Sequence, residues 1–356
     1  MMPLKEHIKS IFRTPLDAED RRGYLRLDKN EMSSPFPADL LQDLRGIFDE
    51  YSIQAYPSMK GIIDHAANLL EHPLSSQVLL TPGSDFALKI CYESLVQSQD
   101  TVCLPSPTYA MNKVYAAVSD LKCSEIYYAK NLKIDIPTLL KSLDHCKMFV
   151  LANPNQPTGR LEDQSLMIQL LDLCELRGIW VIIDEAYYSY SEYTSASLVS
   201  RYRCLIVTRS FSKSYGIAGL RLGALISNES NIEYLSKAMP AFPVNAFALY
   251  SLPILVKHKA FFDQLHQEII SQRQRMSDFY NGIGCSAYPS DTNFLMLETC
   301  GRFSAQEYID GLRLKKILIR GPWTQAPYVN TFRVSLSTGS IMDQLIVSTN
   351  EFLNER

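Results

Sequence analysis

Short apolar runs alternate with longer stretches of helical pattern between about Gln77 and Ile226. The apolar runs cover residues 78–80, 101–104, 123–128, 148–152, 180–183, 204–208 and 224–226. Residues 85–96 and 109–118 are the clearest helical stretches between them. Short β-branched strands separated by helices are typical of a mostly parallel sheet that is covered on both faces. The pattern therefore predicts an α/β fold whose large domain has a mostly parallel sheet flanked by helices.

The pattern changes after Pro243. Residues 246–280 are predicted to be helical, with an interruption near Pro253. A smaller α+β region follows, with apolar segments at 294–297, 305–312, 317–320 and 332–336. The first 45 or so residues are polar and contain several prolines, and we expect them to lie against this C-terminal part. We predict an N-terminal arm and part of the small domain at 1–45, a large domain at 46–245 and a C-terminal small domain at 246–356.

Charge and cysteine usage narrow the class of protein. The net charge of −3 over 356 residues, without a block of Lys and Arg, argues against a nucleic-acid or anionic-membrane binder. The sequence contains neither a signal-peptide pattern nor the ~20-residue apolar stretch that spans a bilayer. Its eight cysteines are scattered, without a C-x-x-C pair or metal-ligand spacing. We therefore expect a cytoplasmic protein with reduced thiols and no metal site.

The strongest chemical signal is the segment from Ser210 to Gly223, which follows an apolar strand. A lysine just beyond a strand, flanked by hydroxyls and glycines, suits a Schiff-base nucleophile beside a phosphate site. Lys213 is that lysine, and Ser210, Ser212 and Arg221 are groups that bind phosphate oxygens. A surface loop with an ordinary lysine is the alternative.

Asp184 ends a second apolar strand and is followed by Tyr187. A carboxylate at that position is costly to bury unless it is paired. A protonated pyridine nitrogen would be such a partner, and the Tyr187 hydroxyl could reach the oxygen on the same ring. The alternative for Asp184 is a helix N-cap.

Two weaker motifs also follow apolar strands. Ser84 and Asp85 begin a helix after a Pro-Gly turn, where backbone amides and the helix dipole favour an anion. Residues 153–159 form a polar, proline-rich turn at a strand end, where open α/β sheets bind ligands. A plain capped turn and a structural Asn-Pro turn are the alternatives. Because all four motifs follow successive strands, we expect them to meet in one crevice.

These residues carry a family resemblance over nearly the whole chain, from residues 27–31 to 333–338. The pattern Ser-x-Ser-Lys-x-x-Gly-x-x-Gly-x-Arg at 210–221 is similar to that of the fold-type I pyridoxal-phosphate (PLP) aminotransferases, within their histidinol-phosphate aminotransferase-like branch. The resemblance implies the PLP-dependent transferase fold of type I and PLP as cofactor. It also implies transfer of an amino group between an amino-acid donor and a keto or aldehyde acceptor.

Carried over by position, the resemblance gives each residue a role. Lys213 binds the cofactor covalently, Asp184 pairs with its pyridine nitrogen, Tyr187 donates to its ring oxygen, and Tyr109 stacks on the ring. The phosphate is bound by Ser84, Asp85, Ser210, Ser212 and Arg221. Tyr56 reaches the phosphate from a partner subunit, which implies a homodimer with shared active sites. Arg333 and Arg320 bind an anionic group on the substrate.

The chain departs from the family pattern at three places, and these leave the substrate open. Gln156 stands where the family usually has an asparagine that contacts the cofactor ring. Thr14, Pro15 and Leu16 replace a segment that usually ends in tyrosine, and residues 30–37 replace the usual Asn-Glu-Asn-Pro-x-Gly. Two other functions stay open: a PLP-dependent lyase like the threonine-phosphate decarboxylases, and a non-catalytic binding protein with the same fold.

Overall fold

The computed structural model describes residues 5–11, 20–72, 74–129, 131–299, 301–323 and 328–356. Thr14, Pro15 and Leu16 lie outside the described residues. The strands are β1 (Leu25–Leu27), β2 (Val78–Thr81), β3 (Thr101–Ser106), β4 (Lys122–Tyr127), β5 (Met148–Ala152), β6 (Trp180–Asp184), β7 (Leu205–Ser210), β8 (Gly223–Ser227), β9 (Cys285–Ala287), β10 (Phe294–Thr299), β11 (Ile317–Trp323) and β12 (Thr331–Ser335). The helices are α1 (Glu6–Lys9), α2 (Ala38–Arg45), α3 (Glu50–Gln54), α4 (Ile62–Leu69), α5 (Ser84–Ser94), α6 (Met111–Val118), α7 (Ile136–Leu143), α8 (Gln164–Arg177), α9 (Phe211–Ser214), α10 (Glu229–Ser236), α11 (Ala246–Lys257), α12 (Lys259–Gly282), α13 (Ala305–Leu314) and α14 (Gly339–Asn354).

The larger sheet has the strand order β2-β8-β7-β6-β5-β3-β4. Neighbouring strands from β7 to β4 pair in parallel, whereas β8 runs antiparallel to both β7 and β2. The prediction of a mostly parallel sheet is therefore confirmed. Parallel strands end at the same edge of a sheet, so the polar residues that follow β5, β6 and β7 lie side by side.

Strand β5 shows why the apolar runs in this sheet are continuous. Its residues Phe149 and Leu151 pack into one core with α2, α4, α7, α8 and α11. Its residues Met148 and Val150 pack into a second core with α5, α6 and α10. Since successive side chains of a strand point to opposite faces, both faces of the sheet are buried.

The smaller sheet has the strand order β1-β11-β12-β10-β9. Strand β1 from the N-terminal part pairs in parallel with β11, and the other strands pair in antiparallel fashion. Helices α12, α13 and α14 cover this sheet and share a third core with it. The α+β character predicted for the C-terminal region is thus observed, whereas the domain limits remain predictions. Within the described residues, no helix combines the length and the apolar character needed to cross a membrane.

The predicted interruption near Pro253 is wrong. Helix α11 continues through Pro253, and the break before α12 lies at His258. Proline within a helix removes one hydrogen bond and costs about 3 kcal/mol or more. Leu252 and Leu255, on either side of Pro253 in α11, are fully buried in the large core. Burying such side chains contributes about 1.5–3 kcal/mol each, which offsets the missing bond.

A buried ion pair joins β7 to the residue that follows β6. The Arg209 Nη2 and Glu185 Oε2 atoms are 3.0 Å apart, and the two side chains are 1% and 2% exposed. The Arg209 guanidinium also lies 3.8 Å from the centre of the Tyr188 ring and donates to the Leu70 carbonyl oxygen. The pair therefore holds the neighbouring residues Asp184 and Ser210 at the edge of the sheet.

We expect Arg209→Ala to lower the free energy of unfolding by about 3–5 kcal/mol, because it leaves Glu185 buried without its partner. Urea unfolding followed by circular dichroism measures the loss. Arg201→Ala is the matched control: Arg201 pairs with Asp172, but their side chains are 58% and 56% exposed. An equal loss in both variants would show that burial of the Arg209 pair is not the cause.

Candidate active site

One cavity of about 620 Å³ lies where the ends of β5, β6 and β7 face the smaller sheet. It brings together residues from all four sequence motifs and from β11 and β12. The predicted site residues that line it are Ser84, Asp85, Tyr109, Gln156, Asp184, Tyr187, Ser210, Ser212, Lys213, Arg221, Arg320 and Arg333. The expected convergence on one crevice is therefore present in the fold.

Lys213 lies in α9, the single helical turn that follows β7. Its Nζ atom donates a hydrogen bond to the Lys29 carbonyl oxygen at 2.7 Å. Burial, together with the positive charge of Arg333, lowers the pKa of Lys213 to about 8. A substantial fraction of the amine is consequently uncharged near neutral pH, which is the form that attacks a carbonyl carbon.

Asp184 is the last residue of β6 and is 5% exposed. Its Oδ1 atom accepts a hydrogen bond from the Thr208 hydroxyl at 2.9 Å. Burial raises the pKa of Asp184 to about 6, and a cation placed beside the carboxylate would lower it again. The helical turn after β6 begins at Tyr188 and has Tyr187 as its N-cap, so Asp184 does not cap it.

Glycines shape the anion-binding end of the cavity. Gly83 has φ +82° and precedes the first residue of α5. A Cβ atom on Gly223 would lie 2.3 Å from the Ser84 nitrogen, so the strand that carries Gly223 can approach this helix start only without a side chain. The close approach brings the start of α5 next to the segment between β7 and β8.

Several hydrogen-bond donors face this end of the cavity. Ser84 and Asp85 open α5, and backbone N–H groups in a first helical turn have no partner within the helix. The Ser212 hydroxyl is buried and has no hydrogen-bond partner in the described part of the chain. Arg221 Nη2 lies 3.4 Å from Asp85 Oδ2, and the Tyr109 hydroxyl donates to Asp85 Oδ1 at 2.7 Å. The Asp85 carboxylate is thus engaged by side chains, and its backbone amide is the group available to an anion.

Arg333 and Arg320 form the opposite, positively charged wall. They occupy directly opposite positions on the neighbouring antiparallel strands β12 and β11. Arg333 is 5% exposed, and its Nη2 atom donates to the Asp28 carbonyl oxygen at 2.8 Å. Its Nε atom is buried without a hydrogen-bond partner among the described residues. Burial lowers the pKa of Arg333 to about 10, so the guanidinium remains charged at neutral pH.

The turn after β5 presents Gln156 to the cavity, although Asn155 is the neighbouring amide. Asn155 is 1% exposed, and its Nδ2 atom donates to the Pro107 carbonyl and to the Thr158 hydroxyl at 3.0 and 2.9 Å. These bonds hold the turn and keep Asn155 away from the cavity lining. Gln156 is therefore the amide with access to a bound ring.

Tyr56 does not line the cavity of its own chain. It is 75% exposed and stacks on Phe242, with ring centres 4.2 Å apart. Tyr56 is therefore not placed to contact a cofactor in the cavity of its own chain.

Sequence reasoning gave no role to residues 28–31, which form one wall of the cavity. The Lys29 carbonyl oxygen accepts a hydrogen bond from Lys213 Nζ, and the Asp28 carbonyl oxygen accepts one from Arg333 Nη2. The Asn30 amide donates to the Tyr187 hydroxyl at 2.8 Å. A polar run directly after the apolar strand β1 is the same signal that located the other motifs, and it could have located this one.

Residues 22–347 match the sequence family described as aminotransferase class I and II. The chain belongs to this aminotransferase family. The aminotransferase is 26% identical over 332 residues to a histidinol-phosphate aminotransferase of Sulfurisphaera tokodaii, with 92% of this chain and 90% of that protein covered. The match extends over both sheets.

Solved structures have the same fold as this aminotransferase. A histidinol-phosphate aminotransferase from Sinorhizobium meliloti, in complex with pyridoxal-5'-phosphate, superposes with a TM-score of 0.87 at 21% identity, covering 100% of this chain and 98% of that one. L-threonine-O-3-phosphate decarboxylase from Porphyromonas gingivalis gives 0.76 at 20% identity, covering 93% and 99%. The predicted fold of type I is confirmed. The chain is a PLP-dependent aminotransferase, and neither the lyase nor the non-catalytic alternative is favoured.

The residues in the cavity of this aminotransferase fit PLP. A lysine amine with a lowered pKa suits covalent attachment. A buried carboxylate that forms no ion pair within the described ranges suits a protonated pyridine nitrogen. The buried Ser212 hydroxyl, the start of α5 and Arg221 suit a phosphate. The cavity thus offers a complementary group to each polar end of the cofactor.

Proposed function

We propose that this aminotransferase transfers an amino group between an amino-acid donor and a keto or aldehyde acceptor, one of which carries an anionic group bound by Arg333 and Arg320. The observation that supports the proposal is the presence of both arginines in the cavity that contains Lys213. Relatives are named for a phosphate-bearing substrate, which supports a phosphate or a carboxylate as the anionic group. A matched pair of amino donors, one phosphorylated and one with a free hydroxyl, tests the anion preference in single-turnover assays.

We propose the following roles at the cofactor. When bound, PLP acts as an electron sink for negative charge that develops at the substrate Cα. Asp184 keeps a proton on the pyridine nitrogen, Tyr187 donates a hydrogen bond to the ring oxygen, and Gln156 contacts the ring. Tyr109 stacks on the ring. The phosphate is held by Ser84, the backbone amide of Asp85, Ser210, Ser212 and Arg221, with Tyr56 reaching it from a second subunit.

Lys213 is the residue to which we assign proton transfer. Lys213 would hold the cofactor until a substrate amine takes its place, and its amine would then be free to accept the proton from the substrate Cα and later to donate it. Its lowered pKa supports the role, because a general base must be uncharged at the working pH. The Lys29 carbonyl, 2.7 Å from Nζ, is an acceptor for one hydrogen of the released amine.

We expect Arg333→Met to lower kcat/KM for an anionic substrate by about 10²–10³-fold, because a buried charge pair is lost from the bound complex. Steady-state kinetics with varied substrate measures the change. Arg302→Met is the matched control. Arg302 is an exposed arginine that donates a hydrogen bond to the Ile283 carbonyl oxygen, and Arg302 does not line the cavity. Equal kcat/KM in wild type and Arg333→Met would remove Arg333 from the substrate site.

A homodimer is the assembly that we propose. Aromatic and apolar side chains are exposed together around α3 and Tyr56. Tyr56 stacks on Phe242, and Phe48 stacks on the half-buried Phe247. Phe48, Tyr51, Ile53, Tyr56 and Phe242 are each at least 55% exposed. Exposed apolar surface of this kind is typical of an interface between subunits. A second copy of the chain that covers it would bring its Tyr56 toward the cavity of the first.

Complementation tests the shared site. We expect Tyr56→Phe to weaken cofactor binding by about 10-fold, because one bond to a charged group is lost. A mixed dimer of a Tyr56→Phe chain and a Lys213→Ala chain contains one site with both Lys213 and Tyr56, and we expect this site to be active and to bind PLP with the wild-type affinity. An active site in the mixed dimer that still binds PLP about 10-fold more weakly, or a wild-type particle with the mass of one chain, would rule out the shared site.

A cytoplasmic location also remains our proposal. The described thiols of Cys91, Cys103, Cys146 and Cys174 are buried and form no disulfide. Reduced thiols are typical of proteins in a reducing compartment. Fractionation of cells that express a tagged chain would test the location.

A further inference from the structure

Asn30 makes a hydrogen bond through every polar group it has. It follows β1, is 1% exposed and has φ 55°. Its backbone N–H donates to the Ser335 hydroxyl at 2.9 Å, and its carbonyl accepts from Asn293 Nδ2 at 3.2 Å. Its Oδ1 atom accepts from the Ser335 hydroxyl at 3.1 Å, and its Nδ2 atom donates to the Tyr187 hydroxyl at 2.8 Å. The residue is therefore fixed to both the small sheet and the cavity wall.

Ser335 determines which way the Asn30 amide points. A serine hydroxyl has one hydrogen, and in this arrangement the Ser335 hydrogen goes to Asn30 Oδ1. The amide nitrogen of Asn30 consequently faces Tyr187. A reversed amide would place its NH₂ group against Ser335 and leave the serine hydrogen without this acceptor.

The Asn30 bond determines the direction of the Tyr187 hydroxyl hydrogen. Tyr187 accepts from Asn30, so its single hydrogen cannot also lie on that line and must point elsewhere. Tyr187 lines the cavity, and its ring makes an edge contact with Phe294 at 5.2 Å between ring centres. With the ring held, the free direction of the hydroxyl hydrogen is toward the cavity.

The residue type at position 30 is restricted by this geometry. Positive φ favours glycine, asparagine and aspartate. Of these, asparagine is the one whose side chain can accept from Ser335 and donate to Tyr187 at the same time. Aspartate has the same shape but only acceptor atoms, so it would draw the Tyr187 hydrogen toward itself.

We propose that Asn30 is a positioning residue that turns the Tyr187 hydroxyl into a hydrogen-bond donor toward the ring oxygen of the bound cofactor. The inference rests on the proposed function, in which Tyr187 contacts that oxygen. Asn30 acts through Tyr187, so its effect depends on the Tyr187 hydroxyl being present. A residue that only supported the fold would have the same effect with tyrosine or phenylalanine at position 187.

A double-mutant cycle tests this dependence with a spectroscopic measurement. The measured quantity is the pH midpoint of the visible absorption band of the PLP-loaded protein, together with the dissociation constant for PLP. A hydrogen bond donated to the ring oxygen lowers the pKa of the nitrogen that links Lys213 to the cofactor. Loss of this hydrogen bond therefore raises the pH midpoint of the visible band. We expect a rise of about one pH unit for Tyr187→Phe, and a rise of about half that size or more for Asn30→Gly. In the Tyr187→Phe background, we expect Asn30→Gly to give no further shift.

Two further variants make the result specific. Asn30→Asp keeps the size of the side chain but reverses the direction of the hydrogen bond with Tyr187. The added negative charge is present with either tyrosine or phenylalanine at position 187. The difference between the two pH shifts therefore isolates the effect that acts through the Tyr187 hydroxyl. Ser34→Ala is the matched control: it removes a bond to the Ser337 hydroxyl from the same segment, and we expect an unchanged midpoint. Thermal melting of each variant identifies any loss of folding.

The outcomes separate this inference from the function on which it rests. Equal shifts for the Asn30 variants with tyrosine and with phenylalanine at position 187 would overturn the positioning role and leave the aminotransferase assignment intact. An unchanged midpoint in Tyr187→Phe would also overturn it, because Tyr187 would then not contact the ring oxygen. A wild-type protein without a visible band in the presence of PLP would overturn the proposed function itself.

Discussion

Replacing Lys213 with alanine is expected to reduce turnover by at least about 10⁴-fold, because the same amine binds the cofactor and transfers the substrate proton. The fold should persist, since the change removes a buried ammonium group that folding has to desolvate. Single-turnover kinetics measures the loss, and circular dichroism with thermal melting checks the fold. Lys89→Ala is the matched control, because Lys89 pairs with Glu93 on the surface of α5. Normal turnover in Lys213→Ala would remove Lys213 from the mechanism.

The lowered pKa of Lys213 adds a pH dependence to this prediction. The uncharged amine attacks the cofactor aldehyde, so the rate of PLP capture by cofactor-free protein should rise with pH and level off above about 8. Stopped-flow absorbance measures the rate. A rate that continued to rise to the ordinary lysine pKa of 10.5 would contradict the burial effect.

The second large effect is expected for Asp184→Asn, with kcat lowered by about 10²–10⁴-fold. Asparagine has nearly the shape of aspartate but no negative charge to keep a proton on the pyridine nitrogen. Rapid-quench measurement of the proton-transfer step gives the loss directly. Thr208→Val is a graded comparison, because it removes only the hydroxyl that donates to Asp184 and should cost much less. A kcat within 10-fold of wild type would exclude the pairing with the pyridine nitrogen.

Asp184→Asn is expected to lower activity but to raise the stability of the cofactor-free protein. Its pKa is raised from 3.8 to about 6 by burial, so the folded cofactor-free protein binds a proton more tightly than the unfolded chain. Stability contributed by this residue is therefore lost as the pH rises from about 4 to 6. At pH 8 the cofactor-free Asp184→Asn protein should melt at a higher temperature than the wild type. A lower melting temperature at pH 8 would show that the carboxylate is stabilised in the fold.

The large sheet and the convergence of motifs could be predicted from the sequence because both follow from local patterns. Strands such as β5 are buried on both faces, so their residues are uniformly apolar and stand out from the helices between them. The chemical residues follow directly after these strands, and the parallel arrangement then places them at one edge. Lys213 and Asp184 were found in this way.

The wall formed by residues 28–31 also follows an apolar strand, but its role in the site could not be predicted from that pattern. Its role depends on bonds between residues that are far apart in sequence, such as Asn30 with Tyr187 and with Ser335. The break at His258 was missed for a related reason. Burial of α11 in the large core outweighs the helix-breaking preference of Pro253, and that burial is visible only in three dimensions.

The most direct test of the central claim is the absorption spectrum of the purified protein with PLP, before and after L-glutamate is added, with 2-oxoglutarate assayed in the same sample. The account predicts a visible band that disappears as an equal amount of 2-oxoglutarate is released. A yellow protein whose band is indifferent to glutamate and to other amino donors would contradict transamination. A protein that takes up no PLP would contradict the assignment of Lys213 and Asp184 to a cofactor site.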